Sequence, residues 1–280
     1  MALFGKKDPC AICGGKVKGL LPFKLEGQYI CSDCHGFVDL PDGATKHMSV
    51  ADFRNYMSFR EENAKLKEQF QTTQQIDFGL FDTKFMFDTG KRLLCMDKHL
   101  NKTIFEGHHI KSFVIMEDSR PIFEGDANGL RCHESFVRQQ VTALSPLINS
   151  INLRNNMNNV LNRDDQNRPQ TDIKEPFEKF NVEIRFEHPY WDIFTADMGG
   201  PRFDNERPSI SDYLHEYGEN LQTMEQLANA LMEIAFPNAS SAAAAQIDPV
   251  EELRRYKALM DQGVITEEEF TAKKRQLLGI

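Results

Sequence analysis

The chain lacks a hydrophobic run long enough to cross a membrane and an apolar segment of the kind that begins a signal peptide. A membrane helix needs about 20 consecutive apolar residues, and no run in the 280 residues approaches that length. The first nine residues include two lysines and an aspartate in place of an apolar core. We therefore expect a cytoplasmic protein, whose reducing surroundings keep thiols out of disulfides.

Basic residues are scarce relative to acidic ones. The 33 lysines and arginines are outnumbered by 42 aspartates and glutamates, which gives a formal net charge of −9. A protein that neutralises several phosphates needs clustered lysine and arginine, and here only the first 35 residues carry a mild local excess. The composition therefore disfavours general nucleic-acid binding and indicates a globular protein of one large or two to three small domains.

Recognisable catalytic motifs are missing as well. Reactive side chains occur at His108-His109, Cys132-His133-Glu134 and Glu187-His188, but none has the spacing of a metalloprotease, P-loop or nucleophile motif. Adjacent histidines on a strand would point to opposite faces, which argues against a shared metal site. We predict no catalytic residue and a protein that is not an enzyme.

Cysteine is rare but concentrated. Four of the six cysteines form two Cys-x-x-Cys motifs separated by seventeen residues: Cys10, Cys13, Cys31 and Cys34. This spacing is typical of four thiolates around one zinc ion, and a site filled by four thiolates has a structural role. Two disulfides, or four unrelated thiols, are the alternatives.

The neighbouring histidine, the other two cysteines and the stretch between the motifs raise further expectations. His35 could replace a cysteine as ligand, although a complete set of four cysteines places it outside the metal's ligands. Cys95 and Cys132 lie far from other cysteines, and we expect both thiols to be buried. Glu26-Gly27 is a plausible hairpin turn between the two motifs, so that residues 8–40 form a zinc ribbon.

The ribbon also carries the chain's best candidates for nucleic-acid contact. Lys16, Lys18 and Lys24 lie near the aromatic residues Phe23 and Tyr29. Lysines meet phosphates and aromatic rings stack on bases. The acidic total makes docking onto a basic protein surface at least as plausible.

A helical connector is predicted over 49–72. Ser49 and Asp52 have the spacing of a helix N-cap with an acidic residue three positions later. Apolar residues occupy one side of the first turns, and charged residues dominate the later ones. We expect a helix that packs at its start and ends as a solvated spacer.

Residues 76–236 are predicted to form a β-rich domain. Short runs of alternating apolar residues separated by turns indicate an antiparallel sheet or small barrel. A helical insertion is expected over 126–176. Its apolar spacing is helical from Leu130 to Leu161, the asparagines over 149–167 have poor helix propensity, and it decays into a loop over 164–176. A long helix over 209–236, capped by Ser209 or Ser211, shows a helical apolar stripe, and 237–247 form a small-residue linker.

The segment 248–280 is predicted to be a helical hairpin. Asp248-Pro249 and Thr266-Glu269 open its two helices, and Gly263 ends the first. Such a hairpin is too short to bury its apolar face alone, so we expect it to pack on a second copy or on the body of the protein. The residues predicted to do so are Leu253, Tyr256, Leu259, Met260, Ile265, Phe270, Leu277 and Leu278.

The C-terminal text, with Gly263, Ile265-Thr266, Phe270 and Leu277-Leu278, strongly resembles the SHOCT (short C-terminal) domain of bacterial and phage proteins. The ribbon is similar to an N-terminal zinc-binding domain of unknown function that is joined to such tails. The middle region loosely resembles pleckstrin-homology-like domains. These resemblances imply a bacterial or phage protein whose hairpin mediates oligomerisation or partner docking. They do not supply an activity.

Together these observations predict an α+β multidomain protein with one structural zinc ion. The favoured function is a non-enzymatic intracellular adaptor or scaffold that binds a macromolecular partner and self-associates through its C-terminal hairpin. The alternative is a nucleic-acid or transcription-machinery binding protein that acts through the ribbon. A membrane-surface role would follow from the pleckstrin-like resemblance, but residues 76–125 show no basic lip.

Overall fold

A computed structural model describes most of the chain. The ranges described are 8–18, 23–36, 38–40, 43–79, 83–97, 103–160, 173–239 and 267–278, together with Leu253, Tyr256, Lys257 and Met260. Among the helices that these ranges contain, none combines the length and the apolar character needed to cross a bilayer.

The N-terminal module is built on a short hairpin. Strands β1 (Phe23–Leu25) and β2 (Gln28–Ile30) pair in antiparallel fashion, and helix α1 (Ser32–His35) follows directly. Glu26 and Gly27 make the connection with φ values of 46° and 83°. Positive φ at both central residues is the geometry of a tight hairpin turn, so the predicted turn is confirmed.

Helix α2 (Val50–Gln69) completes the hydrophobic core of this module. Ser49 accepts a hydrogen bond from the Asp52 amide, and the Asp52 carboxylate accepts one from the Ser49 amide, which completes the predicted capping box. Phe53 is fully buried against Leu25 and Ile30 of the hairpin. The small module therefore shares one hydrophobic core with the first turns of α2.

The second half of α2 is not the solvated spacer that its charge predicted. Asn63 is buried, and its side-chain amide donates to the Ile104 carbonyl at 2.7 Å and accepts from the Ile104 amide at 3.0 Å. Leu66 and Phe70 pack against the buried side chains of Leu93, Cys95 and Ile104. A helix that looks polar by composition thus packs at both ends, because a few apolar and amide groups lie on its inner side.

Two antiparallel sheets follow. The strands of the first sheet are β3 (Gln74–Phe78), β4 (Thr83–Asp88), β5 (Leu93–Asp97) and β6 (Ile104–Glu106). Those of the second are β7 (Ile110–Glu117), β8 (Arg120–Asp126), β9 (Gly129–Cys132), β10 (Lys179–Phe186) and β11 (Ile193–Gly199). The first sheet has the order β3-β4-β5-β6 and the second the order β11-β10-β7-β8-β9, and no ladder joins them in the part of the chain that the structure describes.

The long helix α5 (Ile210–Ala235) covers both sheets. Ser209 caps it by accepting from the Asp212 amide, and its apolar stripe packs against β3, β7, β8 and β9. One continuous core contains α5 and the inner faces of both sheets. The alternation predicted for β10 is confirmed, since Val182, Ile184 and Phe186 are all buried.

The insertion begins later than predicted. Residues Gly129–Cys132 pair with β8 as an edge strand, so the predicted boundary at 126 is wrong. Cys132 is exposed on that edge, whereas Cys95 is buried as expected.

Helices α3 (Val137–Ala143) and α4 (Ser145–Val160) follow, and α4 stays helical through its asparagines because Ile148 and Ile151 are buried. Residues 161–172 lie outside the described ranges.

The C-terminal segment is described in part. Leu253, Tyr256 and Met260 are helical and half-buried, and helix α6 (Glu267–Leu278) carries half-buried Phe270. The Lys273 ammonium lies 5.3 Å from the centre of the Tyr256 ring, a contact between the two helical stretches. Leu259, Ile265 and the linker residues 240–247 lie outside the described residues, as do the side chains of Leu277 and Leu278.

The bridge between α2 and β6 makes a stability prediction. Changing Asn63 to alanine leaves the amide and carbonyl of Ile104 without their partner, and each buried group so stranded costs about 1–3 kcal/mol. Asn63→Ala is expected to lower the free energy of unfolding by about 2–4 kcal/mol in urea denaturation. Asn55→Ala, on the exposed side of the same helix, is the control and should stay within about 0.5 kcal/mol of the wild type. Equal effects of the two substitutions would contradict the assigned bridge.

Candidate metal centre

The four cysteines of the two motifs converge on one point. Their sulfur atoms all lie within 4.8 Å of one another, with Cys10 Sγ 3.9 Å from Cys34 Sγ and Cys13 Sγ 3.6 Å from Cys31 Sγ. Around a metal with bonds of about 2.3 Å to sulfur, the corners of a tetrahedron are about 3.8 Å apart. The cluster therefore has the size of a four-thiolate metal site and could hold a metal ion.

The same distances decide between ligation and disulfide pairing. A disulfide joins its sulfurs at about 2.05 Å, far less than the 3.6 and 3.9 Å found here. His35 is not part of the cluster: its imidazole stacks on the Phe23 ring, with centroids 3.2 Å apart. The four cysteines are therefore free thiols, and His35 lies outside the set of candidate ligands.

Backbone amides aim at the sulfurs. The amide of Cys31 donates to Cys10 Sγ at 3.3 Å, that of Cys34 to Cys31 Sγ at 3.4 Å, and that of Gly15 to Cys13 Sγ at 3.4 Å. Gly14 adopts φ +70°, which turns the chain so that its amide bonds back to the Cys10 carbonyl at 2.8 Å. Such donors orient ligands and favour the thiolate form.

The thiols influence one another's ionisation. Burial opposes ionisation of Cys10, but the backbone amides that donate to its sulfur outweigh that effect and lower its pKa to about 6. Burial, together with contact with the other three thiols, raises the pKa of Cys34. Crowded thiolates repel one another, and a bound dication removes that repulsion. The arrangement is suited to a metal and poorly suited to four unrelated thiols.

Helix α2 holds the first cysteine motif in place. The Arg54 guanidinium donates to the Ala11 carbonyl at 2.8 Å, inside the Cys10–Cys13 turn. Fully buried Tyr56 accepts a hydrogen bond at its hydroxyl from the Asp39 amide at 2.7 Å. The sequence placed Tyr56 on the packed side of the helix but predicted neither contact, because the partners lie more than fifteen positions away and no local pattern indicates them.

The lysines proposed for nucleic-acid contact lie on the same module. Lys16, Lys18 and Lys24 are all exposed. The Lys24 ammonium lies 4.7 Å from the centre of the Tyr29 ring, so these two candidate residues contact each other. Phe23 beside them leaves about half of its surface exposed, at 48%.

The other reactive groups of the sequence are scattered over the β-rich part. His133 Nε2 lies 3.1 Å from the Glu124 carboxylate, and both Cys132 and Glu134 are exposed. His188 is half-buried and packs against the rings of Phe59 and Trp191. Among the described residues, neither His133 nor His188 belongs to a cluster of possible metal ligands, although the His188 ring lies 4.9 Å from that of His109.

One expectation about the histidines is wrong. His108 and His109 do not lie on a strand, since Gly107–His109 form a 3₁₀ turn between β6 and β7. Their ring centres are 4.1 Å apart. Adjacent histidines on this turn share a side, so the argument from strand alternation does not apply to them.

A buried carboxyl group that the sequence did not single out lies in the second sheet. Burial raises the pKa of Glu117, while Tyr217 and Ser135 donate hydrogen bonds to its two carboxyl oxygens. Ser135 Oγ is 2.9 Å from Glu117 Oε2 and 2.7 Å from the Tyr217 hydroxyl oxygen. Since both oxygens have partners within the fold, the group ties β7 to α5.

Comparison with known families matches both ends of the described chain. Residues 9–56 match the family described as Domain of unknown function (DUF4428), and residues 251–278 match the Short C-terminal domain (SHOCT). The chain thus carries a SHOCT domain at its C-terminus and a DUF4428 domain with four clustered cysteines at its N-terminus. Neither match spans half of the chain, and no curated protein or solved structure matches it.

The DUF4428 match extends beyond the predicted ribbon at 8–40. It ends at residue 56, one helical turn past Phe53 and at the fully buried Tyr56. The matched segment therefore coincides with the unit of packing, in which the start of α2 completes the core of the cysteine module.

Removal of one cysteine tests the cluster. Cys31→Ser is expected to lose the ion bound by the four thiols, because an alcohol is a far poorer ligand than a thiolate. Amide hydrogen exchange should then accelerate over 23–36 while strand β10 stays protected. The readout is metal content by mass spectrometry together with hydrogen exchange.

Cys132→Ser serves as the control, since this cysteine is exposed on β9. It should leave both readouts unchanged. A Cys31→Ser protein that keeps the thiol-bound ion would remove Cys31 from the ligand set.

Proposed function

We propose that this chain is a non-enzymatic adaptor, with a structural zinc ion in its N-terminal module and a SHOCT tail that mediates self-association or partner docking. The observation that carries the proposal is the pairing of a complete four-thiol cluster with a SHOCT domain in one chain. A cytoplasmic location in a bacterial or phage-infected cell accompanies it, because thiolate ligation persists in reducing surroundings.

Zinc is the metal that best suits four thiolates at tetrahedral separations. Four protein ligands leave no coordination position for water or substrate, so the ion stabilises the fold and does not catalyse. Cys10, Cys31 and Cys34 are buried. A module of this size has little core of its own, and structural zinc in comparable small domains contributes roughly 10–16 kcal/mol of apparent binding energy.

The β-rich region supports a platform role. Two antiparallel sheets covered by the long helix α5 are compatible with the pleckstrin-homology-like domain that the sequence resembles. Helix α2 packs on both the cysteine module and strand β6. A partner that binds either part would therefore be held in a defined position relative to the other.

The tail supports an assembly role. Leu253, Tyr256, Met260 and Phe270 are half-buried, so each keeps apolar surface available at the C-terminal segment. Two short helices bury too little surface to be stable alone. A second copy of the same hairpin would supply the missing apolar contacts.

Deletion of residues 248–280 is expected to lower the number of subunits in the particle, measured by light scattering coupled to size exclusion. In the full chain, Tyr256→Asp combined with Phe270→Asp should do the same, because a buried carboxylate opposes apolar association. Lys257→Glu changes an exposed residue of the same helix and should leave the subunit number unchanged. Identical masses for the intact, deleted and doubly substituted proteins would contradict the assigned role of the tail.

A nucleic-acid-binding function is the second candidate. It is favoured by the exposure of Lys16 and Lys18 together with the half-exposed Phe23 ring on the cysteine module. Lysine and an accessible aromatic ring are the groups that meet phosphate and base in single-stranded nucleic acids. The net charge of −9 opposes this function over the rest of the surface.

The salt dependence of binding separates the two candidates. Each phosphate contact adds about −0.7 to the slope of log K against log salt for a single strand. Lys16→Ala with Lys18→Ala should therefore reduce the slope by about 1.4 in fluorescence anisotropy titrations. Lys111→Ala, an exposed lysine of β7, is the control. Absence of binding by the wild type at low salt would leave the adaptor function as the better supported of the two.

A further inference from the structure

The turn between β6 and β7 carries a second group of metal-ligating side chains. Glu106, His108 and His109 each place one ligand atom within 4.8 Å of the others. Glu106 and His109 are half-buried, and His108 is exposed. This cluster is separate in sequence and in ligand type from the four cysteines.

The position of the turn is set by the end of helix α5. The Gly107 amide donates to the Arg92 carbonyl at 2.8 Å, and the Arg92 side chain donates to the carbonyls of Ile234 and Ala235 at 2.7 and 3.2 Å. Gly107 is buried so closely against α5 that a Cβ atom there would overlap the Ile234 carbonyl. The backbone that carries the three ligands is therefore held at both sides and preorganised.

The 3₁₀ geometry explains why the ligands meet. On a strand, adjacent side chains alternate between faces, whereas the turn over Gly107–His109 brings the two imidazoles to a ring separation of 4.1 Å. The preceding residue, Glu106, lies at the end of β6 and adds its carboxylate to the same side.

A second observation points to a missing partner at this site. His109 Nδ1 is enclosed by the fold and has no hydrogen-bond partner among the described residues. Buried polar atoms normally have such a partner, and each exception calls for an explanation. The lone pair of a neutral imidazole nitrogen is a metal ligand, so a bound cation would account for this atom.

His188 packs beside this cluster. Its ring centre lies 4.9 Å from that of His109. His188 Nδ1 accepts a hydrogen bond from the Tyr190 amide at 3.1 Å, which fixes the orientation of this ring.

We propose that Glu106, His108 and His109 form a second divalent-metal site in this protein. Two imidazoles and one carboxylate suit Zn²⁺ or a similar transition ion and disfavour Mg²⁺ and Ca²⁺, which take oxygen ligands. Three protein ligands leave a coordination position that the four-cysteine cluster does not offer. Because His108 is exposed, that position faces solvent and can take water or a side chain of a bound partner.

Metal titration of the full chain tests the proposal, with Zn²⁺ and Co²⁺ as the probes. The wild type should bind two equivalents, one of which gives the sulfur-to-cobalt charge-transfer absorption of thiolate ligation while the other gives only weaker ligand-field bands. His108→Ala should weaken the second equivalent about 100-fold or more, since even residues that merely support metal ligands change affinity by about 10–100-fold. The charge-transfer absorption should stay unchanged.

Two further variants make the result decisive. Glu106→Gln keeps the shape of the side chain and removes its charge, and it should weaken the same equivalent without altering circular dichroism. His215→Ala is the matched control, because this exposed histidine also lies beside a carboxylate, 3.6 Å from Glu219, but outside the turn. A wild type that binds a single, thiolate-type equivalent would overturn the proposal, as would equal losses in His108→Ala and His215→Ala.

Discussion

The packing of helix α2 against two different cores is the constraint on which the architecture depends. Phe53 completes the core of the cysteine module, and ten residues later Asn63 pairs with both backbone groups of Ile104. Strand β6 is an edge strand, and an edge left open would expose unpaired amides and carbonyls. The Asn63 amide covers part of that edge and at the same time fixes the helix to the sheet. Helix α2, whose composition indicates a solvated spacer, therefore connects the cysteine module to the first sheet.

The two clusters of metal-ligating residues differ in the chemistry that they permit. Cys10, Cys31 and Cys34 are buried and Cys13 is exposed. Backbone amides donate to three of the four sulfurs, and the four thiols together could hold a metal ion with no position left open. The turn at Glu106–His109 offers nitrogen and oxygen ligands at the protein surface. Phe59 of α2 packs on His188, which in turn packs on His109. Helix α2 therefore packs in the core of the cysteine module and also on His188, the residue beside His109.

Much of the secondary structure and the first cluster was predictable because the signals are local. Cys-x-x-Cys spacing indicates a metal-chelating turn, and Ser49 and Ser209 indicate where two helices begin. The apolar stripe of 210–235 indicates the buried face of a helix. The errors arose where partners distant in sequence decide the outcome. The second half of α2 packs on β6 because Asn63 pairs with Ile104, and Cys132 is exposed because Gly129–Cys132 add an edge strand to β8. Local propensities are small and burial overrides them.

The amino-acid sequence alone determined the two Cys-x-x-Cys motifs, the capped helix starts and the alternation of β10, since each depends on residues within one turn or one strand. Only the tertiary structure decided that α2 packs on both the cysteine module and strand β6, and that His108 and His109 face the same side. The histidine turn illustrates the reason: its shape depends on Gly107 fitting against Ile234, more than one hundred residues away. No spacing rule within a segment contains that contact, because the helix end that imposes it comes from another part of the chain.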